Sequence, residues 1–223
     1  LLHIDKKAVR RMDPFTQYAM STAAMAMEDS QLDLGKIDLD RAGVIYGSGI
    51  GGMDTWETQH TIFMNNGPKR ISPFFVPMMI SDIAAGQISI EYGLKGPNYA
   101  TTSACATSSH AIADAFIHIQ RGSADLMVCG GAEAAITPMS IGGFNAARAI
   151  STWNDKFEVA SRPFDKDRNG FVMGEGSGTL VLEEINQSIK RGEKIYAEMI
   201  GVRLTGDIFH INAKHEDLEG EII

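Results

Sequence analysis

Cysteine is scarce in this sequence: two residues in 223, set 24 positions apart, build neither a disulfide framework nor a zinc-ligand pattern. No apolar run approaches the ~18 residues of a membrane-spanning helix. The opening stretch LLHIDKKAVRRMD has no apolar segment behind its basic residues, so no secretory signal is read there. Positive charge is in the minority, with 20 Lys and Arg against 28 Asp and Glu. A net charge of −8 supplies no overall field to hold nucleic acid or an anionic membrane. Repeats, low-complexity tracts and Pro/Ser-rich linkers are also missing. The first residue is Leu rather than Met, and the final stretch INAKHEDLEGEII carries no periodic pattern. The expectation is a chain cut at both ends, from a reducing, cytoplasmic setting.

What is present is ordinary for a soluble globular protein: 44% hydrophobic and 22% charged residues, enough for a sizeable core. Asp13 followed by Pro14 predicts a helix cap, and Phe15, Tyr18, Ala19, Thr22, Ala23 and Ala26 continue at helical spacing. RAGVIYGSG (41–49) predicts a short buried strand, and SDIAAGQISIEYG (81–93) a helix stopped by Gly93. NYATTSA predicts a strand running into a helix that starts near Cys105 and ends at Arg121-Gly122. DLMVCGG (125–131) is a continuous apolar run, as in a strand covered on both faces. GSGTLVLEE and KIYAEMIGVRL predict further strands, with a basic helix, INQSIKRGEK, between them. Alternating strands and helices indicate an α/β layered fold with a largely buried sheet.

Cys105 stands where a strand gives way to a helix, among the small residues Ser103, Ala104 and Ala106. The free N–H groups and dipole of a helix start favour an anion and can receive an oxyanion. The pattern suits a nucleophile, but a packed structural cysteine fits it too. Cys129, in the middle of a buried strand, reads as structural. A thiol nucleophile usually needs a base. His110, five residues on, lies about 140° round the helix, and His118, thirteen on, lies ~20 Å along it. Both read as packing residues. Of the remaining histidines, His3, His60, His210 and His215, only His210 follows a predicted strand and suits a site edge.

GSGIGG (47–52) formally fits a dinucleotide fingerprint, but no acidic residue ending a second strand follows at the required distance. PFDKDRNGFVMGEGSG (163–178) has three carboxylates, Asp165, Asp167 and Glu175, at the wrong spacing for a calcium loop. It reads as a structural turn beside the site, and no metal site is read anywhere. Lys6, Lys7, Arg10, Arg11, Lys69, Arg70 and Arg148 interrupt an acidic chain. They are either solvated charge or a docking face for an acidic partner.

Taken together, SACATSSHAIADAF, GSGIGG, ISPFFVP, GGAEAAITPMSIGGFNAARAIS and ASRPFDKDRNGFVMGEGSGTLVLEE resemble the elongating β-ketoacyl-(acyl-carrier-protein) synthases of type II fatty acid synthesis. The KAS II kind is the nearest and the KAS I kind the next. The resemblance runs from about residue 5 to residue 210 and implies a thiolase-like layered fold (α/β/α). It further implies the N-terminal half alone, without the family's first strand and helix and without its C-terminal half. Residues 1–210 are then the family's N-terminal domain, and 211–223 a divergent tail.

The resemblance places the acyl-accepting nucleophile on Cys105. It implies an acyl pocket lined by Ile50, Phe75, Ala104 and Phe144, with Ile50 as a gate and Phe75 reaching in across a dimer interface. Phe171, His210 and Asn212 fall at the site edge. Asn212 stands where the family usually has a pantetheine-contacting threonine, and Arg203 where a small residue is usual. Lys7, Arg10, Lys69, Arg70 and Arg148 would dock acyl-carrier protein. No cofactor is implied, because substrates ride on the phosphopantetheine of that partner. The implied reaction transfers a fatty acyl chain to Cys105 and condenses it with malonyl-carrier protein, giving 3-oxoacyl-carrier protein and CO2. The family's two catalytic histidines and lysine belong to the absent half, so condensation by this chain alone is not expected. Rival readings are a non-catalytic acyl-binding partner that dimerises with a complete synthase, a polyketide-type ketosynthase, and a thiolase using coenzyme A.

Overall fold

Asp13 ends an extended approach to the first long helix by accepting the backbone N–H of Phe15 at 3.2 Å, and Pro14 fills the next position. Both signals are local, so helix α2 (Pro14–Asp29) begins where its sequence places it. A single turn, α1 (Lys6–Val9), precedes it. The computed structural model of the protein describes residues 4–206. Along α2, Phe15, Ala19, Ala23 and Met27 recur every fourth position and are buried, which directs one face inward.

That face packs on a four-stranded sheet of order β2–β1–β3–β4, comprising β1 (Ala42–Gly47), β2 (Asn98–Tyr99), β3 (Leu126–Glu133) and β4 (Gly176–Glu183). β1 runs parallel to β2 and β3, and β4 runs antiparallel to β3. Side chains alternate across the sheet. Val44, Tyr46, Leu126 and Val128 meet α2 and helix α5 (Ile83–Tyr92) on one face. Ile45, Met127 and Cys129 meet Ala111 and Ala115 of helix α6 (Thr107–Gln120) on the other. The described chain is thus three layers, α/β/α, with two cores and Cys129 fully buried in the second. Gly93 closes α5 in the left-handed conformation at φ 69°. Helices α3 (Met53–Asn66), α4 (Phe75–Met79), α7 (Pro138–Ala146) and α8 (Ile185–Arg191) complete the outline.

Three sequence expectations change. The NYATTSA strand pairs only through Asn98 and Tyr99. Beyond it, side-chain hydroxyls take over: Thr101 Oγ1 donates to the Thr107 carbonyl at 2.8 Å and Thr102 Oγ1 to that of Ser48 at 3.2 Å. KIYAEMIGVRL is irregular, with Ile200 90% exposed, because a strand exists only through a paired edge and none of the described strands pairs with it. The basic helix stops at Arg191, where Gly192 turns left-handed at φ 76°. His210, Asn212 and the 211–223 tail lie outside the described residues.

Candidate active site

The parallel strands β1 and β3 end at one rim of the sheet, where ligands collect in open α/β sheets. Helix α6 starts directly on that rim because glycines lie beneath it, Gly47 at the end of β1 and Gly131 near the end of β3. A Cβ on Gly47 would fall 2.3 Å from Thr107 Cγ2, and one on Gly131 2.7 Å from Ser108 Cβ. Between β2 and α6 the chain makes a 3-10 turn over Ala104–Ala106, with Cys105 at its centre. Ala104 is held at φ 48°, a left-handed conformation that costs an L-residue about 1–2 kcal/mol. Hydrogen bonds on either side hold the turn. Ser103 N–H donates to Thr107 Oγ1 at 2.8 Å, and Ser103 Oγ lies 2.6 Å from His110 Nδ1. Cys105 is left exposed, whereas Cys129 is buried and its thiol is pushed up to about 12 by that burial.

Cys105 opens on a cavity of about 580 Å³ lined by Ile50, Ala104, Glu133, Phe144 and Phe171 among others. Phe144 and Phe171 meet edge to face, centroids 5.0 Å apart, across the segment boundary between α7 and the 163–178 turn. The turn contributes Val172, Met173 and Gly174 to the wall. So the cavity brings together Cys105, Ile50, Ala104, Phe144 and Phe171 from the sequence expectations. Phe75, at the start of α4, is not among its lining residues.

The expected docking cations, Lys7, Arg10, Lys69, Arg70 and Arg148, are all exposed. The guanidinium of Arg11 sits 4.7 Å over the ring of Phe74, which joins the N-terminal basic segment to the chain just after Lys69 and Arg70. Neither helix histidine is free: besides the His110 bond, His118 Nδ1 lies 2.8 Å from Ser123 Oγ. Among the described residues, no group of three or more His, Cys, Asp or Glu could hold a metal ion. No described helix is long and apolar enough to cross a membrane.

The glycine-rich stretch 47–52 is no phosphate cradle. Its N–H groups at Gly49 and Ile50 already donate to the carboxylate of Glu133, at 2.9 and 3.2 Å. Glu133 itself escapes a reading of the sequence, although a signal exists: a carboxylate closing a buried apolar strand needs donors from elsewhere in the fold. Burial pushes its carboxyl above the ordinary value despite those donors.

Comparison with known proteins adds four findings. A family model described as "Beta-ketoacyl synthase, N-terminal domain" matches residues 1–188. The chain is 56% identical to 3-oxoacyl-(acyl-carrier-protein) synthase 2 of Staphylococcus aureus over 218 residues, which is 98% of this chain and 54% of the relative. It spans about half the length of the curated relatives it matches. The crystal structure of a β-ketoacyl synthase from Burkholderia phymatum superposes with a TM-score of 0.76 at 33% identity, covering 85% of this chain and 47% of that one. A type II PKS acyl-carrier protein in complex with its ketosynthase bound to the hexaketide gives a TM-score of 0.71 at 25% identity, covering 86% and 53%.

Proposed function

Since the chain belongs to the β-ketoacyl synthase family, we propose that it is the acyl-accepting part of a carrier-protein-dependent ketosynthase of fatty acid elongation, with Cys105 as nucleophile. The observation that carries this is the exposed Cys105 at a strained turn, opening on a largely apolar cavity. In the first half-reaction the Cys105 thiolate attacks the thioester carbonyl of acyl-carrier protein. The carbon–sulfur bond to phosphopantetheine breaks, its thiolate leaves, and the acyl chain stays on Cys105 as a new thioester. The backbone N–H of Cys105 is the proposed donor to the intermediate's oxyanion, since the Ala106 and Thr107 N–H groups already bond to the Ser103 and Ala104 carbonyls. In the second half-reaction, malonyl-carrier protein loses CO2 and its carbanion attacks the Cys105 thioester. That step frees the thiolate and yields 3-oxoacyl-carrier protein.

The second step needs bases that the resemblance places outside this sequence, so the chain is expected to acylate without condensing. Lys7, Arg10, Lys69, Arg70 and Arg148 are proposed to dock the acidic carrier protein, where complementary charge speeds and orients the encounter. A homodimer is proposed as the working assembly, with Phe75 of one protomer completing the cavity of its partner. Its position outside its own chain's cavity wall supports this. The cytoplasm is the proposed setting, and no cofactor beyond the carrier's own phosphopantetheine is required.

The test is incubation of the chain with fatty acyl-carrier protein, followed by intact mass and peptide mapping. One acyl group on Cys105, none on Cys129, and none on a Cys105→Ala variant is the expected result. Equal labelling of both cysteines, or no labelling of folded protein, overturns the assignment. Acylation by acyl-coenzyme A but not by the carrier protein would favour the thiolase reading instead.

A further inference from the structure

Ile50 lines the cavity beside Cys105, yet its side chain is 44% exposed and has little packing to hold it. A wall residue of that kind takes its position from its own backbone. That backbone is tied from outside its loop. The Glu133 carboxylate, at the end of β3, accepts from Ser48 Oγ at 3.0 Å, Gly49 N–H at 2.9 Å and Ile50 N–H at 3.2 Å. Ser48 Oγ in turn accepts Gly51 N–H at 2.9 Å. Contact at Gly49 is close enough that an added Cβ would lie 2.8 Å from Glu133 Oε2. Farther along, the buried Asp13 carboxylate accepts Thr55 N–H at 2.9 Å and so pins the first turn of α3. Two carboxylates from two other elements therefore hold one loop, and Ile50 lies between their anchor points.

We propose that Glu133 is a specificity-determining positioning residue: through the Gly49 and Ile50 N–H groups it fixes the Ile50 wall and with it the acyl length the cavity admits. The proposal rests on the reading of Cys105 as acyl acceptor. A neutral amide at position 133 weakens the tie. Both N–H groups converge on Oε2, while Oε1 takes the Ser48 hydroxyl. Glutamine can therefore keep its carbonyl under the N–H groups only as a neutral acceptor, and its NH2 group forces Ser48 Oγ to turn from donor to acceptor. Bonds to an ionised acceptor are also about twice as strong as neutral ones. With the tie weakened, Ile50 withdraws and longer chains gain access.

The test uses the full chain and two alkylating probes, iodoacetamide and N-octyl iodoacetamide. In each, the Cys105 thiolate displaces iodide to form a thioether, and the thiol proton passes to buffer. Labelling rates at Cys105 come from intact mass with peptide mapping, and the iodoacetamide rate is each variant's own reference. Glu133→Gln is expected to raise the octyl-to-unsubstituted rate ratio about threefold or more, within the roughly fourfold that one buried methylene contributes. Ile50→Ala is expected to raise it likewise, and Glu133→Gln is expected to add little on an Ile50→Ala background. A role confined to general stability would not produce that non-additivity. If Glu133→Gln fails to unfold cooperatively, Ser48→Ala, which removes one donor and the Gly51 acceptor, carries the same expectation. An unchanged or lower ratio, or full additivity with Ile50→Ala, overturns the proposal. Failure of both probes to label Cys105 in the folded parent overturns the acceptor reading itself, and this proposal with it.

Discussion

Replacing Gly47 with alanine measures how closely the start of α6 sits on the sheet, and therefore how firmly the Cys105 turn is placed. The new methyl carbon would lie 2.3 Å from Thr107 Cγ2, 2.8 Å from Thr101 Oγ1 and 3.0 Å from the Thr101 carbonyl oxygen. Carbon–carbon contact is comfortable only from about 3.5 Å, so the helix start has to withdraw by roughly 1 Å. Thr107 cannot swing aside freely. Its Oγ1 accepts Ser103 N–H and its carbonyl accepts Thr101 Oγ1, each at 2.8 Å. Overpacking of this kind costs about 1–3 kcal/mol, and one lost hydrogen bond adds about 1 kcal/mol. The expected loss of stability is thus about 2–4 kcal/mol, read from urea unfolding followed by circular dichroism. Gly86→Ala in α5 is the companion: apart from its chain neighbours and its own helix backbone, no described atom lies within 4 Å of the added Cβ. It is expected to gain about 0.5–1 kcal/mol from helix propensity and to leave Cys105 acylation unchanged. Gly47→Ala, by contrast, also slows acylation, because the Ser103–Thr107 bond that frames Cys105 is strained. A Gly47→Ala protein with parental stability and a parental labelling rate would refute the described seating of α6.

Two carboxylates give opposite pH dependences of stability, both readable from unfolding curves collected across pH. Burial raises the Asp13 carboxyl above its ordinary value of 3.8, so its contribution is fully present below 3.8 and is lost as pH rises through the raised folded value. Asp13→Asn is expected to remove that decline, at a cost of about 1–2 kcal/mol for a weakened cap. Asp125 is the reverse. Its hydrogen bond to Arg41 Nε, at 2.6 Å, holds its carboxyl below 3.8, so its contribution is present above 3.8 and lost as pH falls through the lowered value. Asp125→Asn is expected to flatten the acid limb and to cost no more than about 1 kcal/mol near neutrality, as for a partly exposed pair. Unaltered pH profiles in either variant would contradict the assignment.

The elements legible in the sequence are those whose signals are local. Asp13-Pro14 declares the start of α2 because cap and first turn are neighbours, and Gly93 declares the end of α5 because only its own φ is at stake. DLMVCGG declares a covered strand because both of its faces are apolar. Where pairing decides, sequence is a poorer guide. Thr101 and Thr102 have good strand propensity, yet their hydroxyls bond to α6 and to the end of β1. KIYAEMIGVRL alternates well enough but finds no edge among the described strands. The same division runs through the site. Cys105 is visible in its run of small residues, and the aromatic wall is visible through family motifs. The grip of Glu133 on Gly49 and Ile50 spans more than 80 residues, and its one local mark, a carboxylate closing an apolar strand, does not name the partners.

The register of the sheet also bears on the order in which the molecule assembles. Ala42 of β1 pairs with Leu126 of β3, its central neighbour, 84 residues later in the chain. Closing so long a loop is entropically unfavourable before any contact compensates, and parallel pairing of distant segments is slow for that reason. The crossover that closes it is the segment carrying β2, the Cys105 turn and α6. During synthesis, the buried centre of the sheet stays without its partner until residue 133 has left the ribosome. Before β3 docks, the turn at Ala104 has its own local bonds, from Ser103 to Thr107 and to His110, but no completed sheet beneath it. Seating of the Cys105 turn on the sheet rim is therefore expected to be a late step of folding, in which Gly131 of β3 meets Ser108 at the start of α6.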